Sequence, residues 1–375
     1  MAGPTTRARA ALVADCVTAL PEIWSLVALH LGLVGAWRLM LVCKAARVGA
    51  KDFLKTLPGL VVSGGKTPAD GGRGVDVKQV WRLDLATLQW EPMPSLVYPR
   101  CHHACCAVRG GLVVYGGDAS DEAAVSGSVE MLLVEGQGAF TSQPPLSRGE
   151  TTSTVAIAVD ESGSAVGRAL LLGGYLDGDD PVPVSTVSLV DLATGVCTPQ
   201  PNLLHARCQF AAVQLPDGGV VCTGGYGSNW TKLSSAEVLV PFSQGVADAT
   251  WTWRGLPAMS VARAGCRGCV LSDGRFAVLG GDNGNGDALS SCEALTAGQD
   301  EHWEPLPPML EARSFHTCVA VADSMVVAGG YGCTQLGLVL LNSAEVFDEV
   351  LCRWLRLPYD LPYDNGIYGM GSALL

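Results

Sequence analysis

The most regular feature of the chain is a short apolar run that ends in a Gly-Gly pair and occurs six times. The runs Leu112–Tyr115 and Phe276–Leu279 are examples, and β-branched and aromatic residues of this kind favour β-strands. The first glycines of successive pairs stand 52, 57, 51, 56 and 49 residues apart. A period near 50 residues predicts a repeat protein in which each period forms one structural unit. The pairs are Gly64-Gly65, Gly116-Gly117, Gly173-Gly174, Gly224-Gly225, Gly280-Gly281 and Gly329-Gly330.

Two further landmarks follow most of the diglycines in a fixed order. A second strand-like run carries Ser-x-Glu, and its recurrence predicts a structural hydrogen bond. A tryptophan then precedes Leu or Met by three residues, and the following proline is expected to end the strand because it cannot donate to the ladder. The second and third repeats carry Phe140 and Cys197 near the tryptophan position. The glutamates are Glu130, Glu237, Glu293 and Glu345, and the tryptophans are Trp90, Trp253, Trp303 and Trp354.

Gly-Gly, Ser-x-Glu and Trp before Leu-Pro, in this order and at this period, resemble the kelch repeat over about residues 57–375. The resemblance implies an all-β fold, a six-bladed kelch β-propeller, with four-stranded sheets arranged radially around a channel. Each blade would cover the apolar face of its neighbour. The first repeat starts directly at its diglycine strand and lacks the strand that precedes it in the others. Residues 368–375 read like that missing strand and are expected to close the ring by pairing with the first blade.

Residues 15–56 lack the repeat and predict helices, behind a flexible tail of residues 1–14. Pro21 suits the first position of a helix, and Ile23, Val27 and Leu31 (or His30) follow at helical spacing. Gly32 and Gly35 then interrupt the pattern. Two further runs, residues 36–43 and 47–57, complete a small three-helix segment.

The front segment also carries a string that resembles an F-box: Leu20-Pro21-Glu22-Ile23, then Leu31 and Leu39, then Val42-Cys43-Lys44 with Arg47. In that family the motif docks on a Skp-type adaptor of a cullin-RING ubiquitin ligase. The resemblance implies adaptor contacts at Leu20, Pro21, Ile23 and Val42. The alternative is a helical cap whose apolar residues pack on the first blade.

Composition and charge exclude several classes of protein. Hydrophobic residues make up 48% of the chain and charged residues 16%, which favours a folded core over disorder. The formal charge of −12 argues against nucleic-acid binding, which needs clustered Lys and Arg. The 14 cysteines show no paired C-x2-C spacing, so reduced thiols in the cytoplasm or nucleus are expected. The apolar stretch 24–43 is interrupted by His30 and Arg38, which argues against a membrane span, and Asp15 argues against a signal peptide.

The run Arg100-Cys101-His102-His103-Ala104-Cys105-Cys106 contains soft metal ligands, but the repeat explains it more simply. His103 follows Arg100 by three residues as His316 follows Arg313, so it fills a repeat position at the start of a strand. Neighbours in a strand point to opposite faces, so these side chains are not expected to converge. We therefore expect no metal site and no cofactor. No catalytic motif stands out, and an enzyme is not expected either.

Two positions in the repeat, the residue after the diglycine and the inter-blade arginine, are expected to lie around one mouth of the propeller, where loops carry function. In kelch-like substrate adaptors these positions supply arginine and tyrosine contacts to acidic peptides. The resemblance implies a target site with a local positive field that selects an acidic motif. The alternative is that the arginines tie neighbouring blades through buried hydrogen bonds. The residues after the diglycines are Lys66, Asp118, Tyr175, Tyr226, Asp282 and Tyr331, and the inter-blade arginines are Arg100, Arg207, Arg263 and Arg313. The expected target contacts are the four arginines together with Tyr175, Tyr226 and Tyr331.

The sequence thus predicts a substrate-recognition subunit of a cullin-RING (SCF-type) ubiquitin ligase, whose front helices bind the adaptor and whose propeller binds the target. Two alternatives remain: a kelch interaction scaffold without a ubiquitin function, and a kelch-type propeller enzyme such as a sugar oxidase or epimerase.

Overall fold

Six four-stranded antiparallel sheets form a six-bladed β-propeller in the computed structural model. The structure describes residues 19–375 apart from 69–73, 109–110, 120–124, 126, 134–137, 147–150, 160–166, 177–180, 241–250, 297–299 and 335–336. The tail predicted for residues 1–14 lies outside the described residues. The prediction of an all-β six-bladed propeller is confirmed.

The blades follow the chain in order, and their strands are given from the channel outward. Blade 1 contains β31 (Gly371–Leu374), β1 (Leu60–Ser63), β4 (Val80–Leu83) and β5 (Trp90–Met93). Blade 2 contains β6 (Ala104–Val108), β7 (Gly111–Tyr115), β8 (Val129–Leu133) and β9 (Thr141–Gln143). Blade 3 contains β11 (Val155–Val159), β12 (Arg168–Leu172), β15 (Val187–Asp191) and β16 (Cys197–Gln200). Blade 4 contains β17 (Ala211–Gln214), β18 (Val220–Thr223), β19 (Ala236–Val240) and β20 (Thr252–Leu256); blade 5 contains β21 (Arg267–Val270), β22 (Phe276–Leu279), β23 (Cys292–Thr296) and β24 (His302–Leu306); blade 6 contains β25 (Thr317–Ala320), β26 (Ser324–Ala328), β29 (Ala344–Asp348) and β30 (Arg353–Arg356).

Short strands extend the loops that follow three of the diglycines. They are β2 (Lys66–Thr67) with β3 (Val75–Asp76), β10 (Thr151–Thr152) with β13 (Tyr175–Leu176) and β14 (Val182–Pro183), and β27 (Tyr331–Thr334) with β28 (Gly337–Leu340). A 3₁₀ turn at Ser228–Trp230 occupies the corresponding loop of blade 4.

The last strand closes the ring, as the sequence predicts. β31 pairs antiparallel with β1, and Leu374 lies opposite Leu60. The innermost strand of blade 1 therefore comes from the C-terminus, whereas its other three strands come from the first repeat. This pairing covers the edge that β1 would otherwise expose.

The core of the described part of the chain consists of six apolar clusters, one at each junction between neighbouring blades. At the junction of blades 3 and 4, for example, Leu170 and Leu172 pack against Phe210 and Val220. A tryptophan strengthens three junctions, because its indole N–H donates to the carbonyl of a proline in the preceding blade. These bonds are Trp253 to Pro201 (2.8 Å), Trp303 to Pro257 (2.8 Å) and Trp354 to Pro307 (2.9 Å).

Among the described residues, two helices precede the propeller: α1 (Pro21–Leu39) and α2 (Lys44–Thr56). The prediction of three helices is wrong for the described residues, because the first two predicted runs form one helix with a break at Gly32 (φ +66°). The break arises at the contact with blade 6, where Leu33 N–H donates to the Ala322 carbonyl at 2.8 Å. Among the described residues, no helix is both long and apolar enough to cross a membrane.

The helices are docked on the propeller at the junction of blades 6 and 1. The Trp37 indole N–H donates to the Leu85 carbonyl at 2.7 Å, and Arg38 forms an ion pair with Asp348 at 2.8 Å. Leu33 and Phe53 belong to the same apolar cluster as strand residues of both blades. The helical segment therefore shares its core with the propeller.

Candidate protein-binding mouth

The residue that follows each diglycine lies in a ring around one end of the channel. Each forms a backbone bridge with an inter-blade residue, and we call this surface the mouth. The bridges are Lys66 with Tyr368, Asp118 with Cys101, Tyr175 with Thr152, Tyr226 with Cys208, Asp282 with Ala264 and Tyr331 with Ser314. The structure thus brings together the six mouth residues that the repeat predicts.

The inter-blade arginines do not line the mouth, and the prediction that they form an exposed ring is wrong. The side chains of Arg100, Arg207, Arg263 and Arg313 are fully buried. Each forms an ion pair with the Ser-x-Glu glutamate of the following blade: Arg100 with Glu130, Arg207 with Glu237 (2.7 Å), Arg263 with Glu293 (2.6 Å) and Arg313 with Glu345 (2.7 Å).

The geometry of blade 5 shows what each pair does. Arg263 donates to the Gly280 carbonyl at 2.9 Å and to the Ser291 hydroxyl at 3.2 Å, while Glu293 also accepts from the Ser260 backbone N–H at 2.9 Å. The pair therefore ties the connection between blades to the second and third strands of the next blade. The alternative interpretation of these arginines, as buried ties between blades, is the one that the structure bears out.

These buried pairs remove the reason for expecting an acidic target. Each guanidinium is matched by a carboxylate, so the four arginines create no positive field at the mouth. The described charges at the mouth are themselves mixed. Lys66 lies 3.5 Å from Asp76, Lys232 pairs with Asp282, and Asp118 lies 3.2 Å from His102.

Between the mouth and the innermost strand of each blade, one residue has a left-handed backbone conformation, and these residues form a ring. One residue per blade has a positive φ at this point, and four of the six are not glycine, which costs conformational energy of order 1–3 kcal/mol each. Backbone hydrogen bonds link consecutive members: His102 to Gly369 (2.7 Å), Gly369 to Phe315 (3.0 Å), Phe315 to Gly265 (2.8 Å) and Gly265 to Gln209 (2.8 Å). The six residues are His102, Ser153, Gln209, Gly265, Phe315 and Gly369, with φ between +50° and +68°.

An aromatic cluster lies on the mouth over blades 3 and 4. Tyr175 and Tyr226 each pack against Trp230, with ring centroids 5.6 Å apart in both pairs. Trp230 is 39% exposed and sits at φ +57°, and its indole N–H donates to the Pro181 carbonyl at 3.2 Å. Burial, with Asp282 nearby, raises the pKa of Tyr226 to about 12, so its hydroxyl stays protonated at neutral pH.

A second aromatic cluster lies across the mouth and joins blades 6 and 1. Phe315 stacks on Tyr331 with centroids 5.6 Å apart, and Tyr368 packs edge-on against both rings. The imidazole of His102 lies 5.0 Å from the Phe315 ring. Two aromatic clusters on one face supply rigid apolar area of the kind that is enriched at protein interfaces.

Below the mouth, a fifth arginine lies in the channel. Arg267 donates to the carbonyls of His316 (2.8 Å) and Met370 (3.4 Å), and it forms no salt bridge with a carboxylate of the described residues. Burial lowers its pKa. It borders a cavity of about 150 Å³.

One metal-ligand cluster is present within the described ranges, where the sequence argument expects the side chains to diverge. Cys101, His102 and Asp118 place a sulfur, a nitrogen and an oxygen within 4.8 Å of one another. The argument from strand alternation is wrong here because His102 has φ +50°, which breaks the alternation between neighbours. His103 does fill the structural position predicted for it: it is buried and its Nε2 lies 2.9 Å from the Ser63 hydroxyl.

The predicted adaptor-binding residues lie on the helical segment. Leu20 and Val42 are 49% and 61% exposed, and Pro21 and Ile23 are partly buried. The exposure extends beyond the predicted set, since these helices and the turn between them also expose Leu26, Leu29, Leu31, Leu41 and Val48.

Sequence reasoning misses four residues of the mouth and channel: Trp230, Phe315, Tyr368 and Arg267. The last three occupy positions that the repeat defines. Phe315 follows Arg313 by two residues, and Arg267 follows Arg263 by four. Tyr368 follows the arginine position of blade 1 by one residue. Counting from Arg313 and Arg263 would have found Phe315 and Arg267. Trp230 lies in a loop of irregular length and has no such signal.

No family model matches the chain. A stretch of 82 residues, 22% of this chain, is 34% identical to the F-box/kelch-repeat protein SKIP30 of Arabidopsis thaliana. The chain spans only 23% of the length of that relative in this match. The solved structure of YjhT is similar over 76% of this chain and 99% of its own, with a TM-score of 0.59 and 12% sequence identity. That likeness shows the propeller fold alone; the two comparisons together support a propeller of the kelch type.

Proposed function

We propose that this protein is a substrate receptor of a cullin-RING ubiquitin ligase, in which the helical segment binds a Skp-type adaptor and the mouth binds the target. The observation that carries the proposal is that the helices and the turn between them expose seven large apolar side chains: Leu20, Leu26, Leu29, Leu31, Leu41, Val42 and Val48. The similarity to an F-box/kelch-repeat protein supports the same function.

The helical segment has two apolar faces. One face packs on the propeller through Leu33 and Phe53, which are buried. The other exposes leucines at positions that include Leu26 (57%) and Leu41 (84%). A cap that served only the propeller would need the buried side chains alone, whereas several exposed large apolar side chains on one short segment are typical of a protein-binding surface.

The mouth provides the target-binding surface. Its contacts are Tyr175, Tyr226 and Tyr331, joined by Trp230, Phe315 and Tyr368, rather than the buried arginines. Tyrosine and tryptophan are enriched among residues that dominate binding energy. The receptor brings its target to the ligase in the cytoplasm or nucleus and carries out no bond chemistry itself.

Affinity purification of the full chain with quantitative mass spectrometry tests the proposal. We expect a Skp-type adaptor and a cullin to co-purify with the wild type, and to fall at least about 10-fold in a Leu20→Ser/Val42→Ser variant. Leu310→Ser is a matched control, because Leu310 is 58% exposed on the propeller. Trp230→Ala with Tyr226→Ala should reduce target proteins and leave the adaptor bound.

The outcomes separate the alternatives. A folded wild-type protein that captures no Skp-type adaptor would rule out the ligase function. Targets that depend on Trp230 without any adaptor would identify an interaction scaffold instead.

A further inference from the structure

Two of the three side chains in the metal-ligand cluster are fixed by backbone pairing. Cys101 N–H donates to the Asp118 carbonyl at 2.9 Å, and Asp118 N–H donates to the Cys101 carbonyl at 2.8 Å. His102 follows Cys101 in the left-handed conformation, so both neighbours present their side chains to the same region of the mouth. The three ligand atoms are therefore held together by the fold.

Two of the three distances between the ligand atoms match those around one metal ion, and all three are below 4.8 Å. Cys101 Sγ lies 3.5 Å from His102 Nδ1, and Nδ1 lies 3.2 Å from Asp118 Oδ2. In a tetrahedral zinc site, bonds of about 2.3 Å to sulfur and about 2.0–2.2 Å to nitrogen and oxygen separate sulfur from nitrogen by about 3.6 Å, and nitrogen from oxygen by about 3.3 Å. A single ion could thus contact all three atoms with little movement of the chain.

The surroundings select which atoms can bind the ion. The Tyr175 hydroxyl lies 3.2 Å from Asp118 Oδ1 and 3.4 Å from Oδ2, so it orients the carboxylate from outside the cluster. The rings of Phe315 and Tyr368 pack on the imidazole at 5.0 and 5.7 Å. The Nε2 atom of His102 is buried without a hydrogen-bond partner, so Nδ1 is the nitrogen available to a ligand. Outer contacts of this kind orient the ligands in metal sites.

We propose that Cys101, His102 and Asp118 bind a divalent transition-metal ion of the zinc type. Thiolate, imidazole and carboxylate form a donor set that suits Zn²⁺, and the two anionic ligands neutralise its charge. The nearest other charges are Lys66 and Asp76, which lie 3.5 Å apart. Asp76 also accepts a hydrogen bond from the Cys101 thiol, and a bound metal would replace the proton of that bond. The Asp118 side chain is 31% exposed and that of His102 is 16% exposed, so solvent reaches the cluster. Three protein ligands leave a fourth position for water or for a side chain of a bound protein.

Titration of the metal-stripped full chain with Co²⁺ alone tests the site. We expect one equivalent to bind with a thiolate-to-cobalt charge-transfer band, and Zn²⁺ to displace it. Because loss of an outer contact alone weakens metal sites by about 10–100-fold, Cys101→Ser, Asp118→Asn and His102→Asn should each weaken binding by at least about 100-fold. Asn is chosen at residue 102 because it tolerates a positive φ. Tyr175→Phe should weaken binding by about 10–100-fold.

Cys352→Ser is the control, because Cys352 is an exposed thiol on blade 6 and its loss should leave the spectrum unchanged. X-ray absorption of the zinc-loaded wild type adds a test that does not depend on the folding of variants, with one sulfur and two or three nitrogen or oxygen ligands expected. A folded wild type that binds no stoichiometric Co²⁺, a spectrum that persists in folded Cys101→Ser, or a zinc shell with no sulfur or several sulfurs would each overturn the proposal. The cluster would then be a hydrogen-bond network between His102 and Asp118.

Discussion

Each blade has either both the buried arginine and its glutamate or neither of them. In blade 1 the arginine position is occupied by Ile367 and the glutamate position by Trp81, and in blade 3 the same two positions are Thr151 and Ser188. In these two blades neither charge remains without the other. An unpaired buried charge is strongly destabilising, whereas replacing both members is often tolerated.

Arg263 illustrates the energetic consequence. Arg263→Ala should lower the free energy of unfolding by about 3–5 kcal/mol, because it leaves Glu293 buried without its partner. A double variant, Arg263→Met with Glu293→Leu, should recover most of that loss. Chemical denaturation measures both.

The exposed pair Arg254–Glu301 (2.7 Å) provides the control, and Arg254→Ala should cost less than about 1 kcal/mol. If Arg263→Ala were as mild as Arg254→Ala, the buried pairs would not be ties between blades. This prediction replaces the one in which Arg263 binds the target.

Buried histidines make stability depend on pH. The pKa of His316 is lowered well below its usual value by burial and by Arg267 and Arg313. The pKa of His103 is also lowered well below its usual value, by burial and by Arg100, His102 and Arg267. Above about pH 6.5 neither the folded nor the unfolded state is protonated at these rings. As the pH falls below 6.5 the unfolded state binds protons and the folded state does not, so the free energy of unfolding decreases.

The expected slope is about 1.4 kcal/mol per pH unit for each histidine. His316→Phe should remove the contribution of one histidine to the slope between pH 6.5 and 5. Phenylalanine is chosen because Phe210 occupies the equivalent position in blade 4. Urea denaturation at several pH values measures it. His302→Gln, at an exposed site, should not reduce the slope; an unchanged slope in His316→Phe would contradict the prediction.

At the scale of elements, the repeat makes the blades and the closing strand readable from the sequence. Diglycines mark the second strand of each blade because both glycines adopt positive φ where the chain turns close to the inter-blade backbone; a Cβ on Gly281 would lie 2.6 Å from the Ala264 carbonyl oxygen. The helix count is not readable in this way. A glycine in a helical pattern can end a helix or break it, and the choice at Gly32 depends on its contact with blade 6.

The local sequence pattern also does not predict the direction in which the arginine side chains point. A residue that recurs once per blade must form a ring, but recurrence does not say whether the side chain points to solvent or into the blade. The glutamate that recurs with it was the available signal, since paired opposite charges at fixed spacing fit a buried contact. Two of the mouth tyrosines donate to the aspartate that follows the diglycine of the preceding blade: Tyr175 to Asp118 at 3.2 Å and Tyr331 to Asp282 at 3.0 Å. The role of the tyrosines in binding stays a prediction.

The closing strand gives a prediction at this scale. Deleting residues 371–375 removes β31 and leaves the edge of β1 unpaired, together with the apolar face that Ala373 covers at the junction with blade 2. The loss should be several kcal/mol against a typical margin of about 5–15, so the shortened protein should melt early or aggregate.

Thermal unfolding and size-exclusion chromatography measure the outcome. The point variant Ser372→Ala is a suitable control, because it keeps the strand and changes only a partly buried hydroxyl. A deletion variant that stays monomeric with the wild-type melting temperature would show that another pairing closes the ring.

At the scale of the whole molecule, the helical segment and the propeller behave as one body because they share a core. The sequence leaves open whether these helices bind an adaptor or cap the propeller. The structure shows that they pack on the propeller, and adaptor binding stays a proposal. A rigid junction also fits a receptor, since it would hold the target at the mouth in a fixed direction from the adaptor. Trp37 and Arg38, bonded to blades 1 and 6, maintain that junction.

The shared core predicts that the propeller does not fold well without its helices. A chain that begins at residue 59 would lose Leu33, Phe53 and Leu54, which are at least 96% buried, and would expose Val326 and Leu60 on blades 6 and 1. Because each buried side chain of this size contributes about 1.5–3 kcal/mol, the loss should approach the whole stability of a domain. The truncated protein should be insoluble or should bind hydrophobic dyes and unfold without a cooperative transition, as measured by soluble yield and scanning calorimetry. The comparison protein is the full chain, which keeps both helices. If the chain from residue 59 instead melts cooperatively at the wild-type temperature, the helices are an attached module, and their buried face does not stabilise the ring.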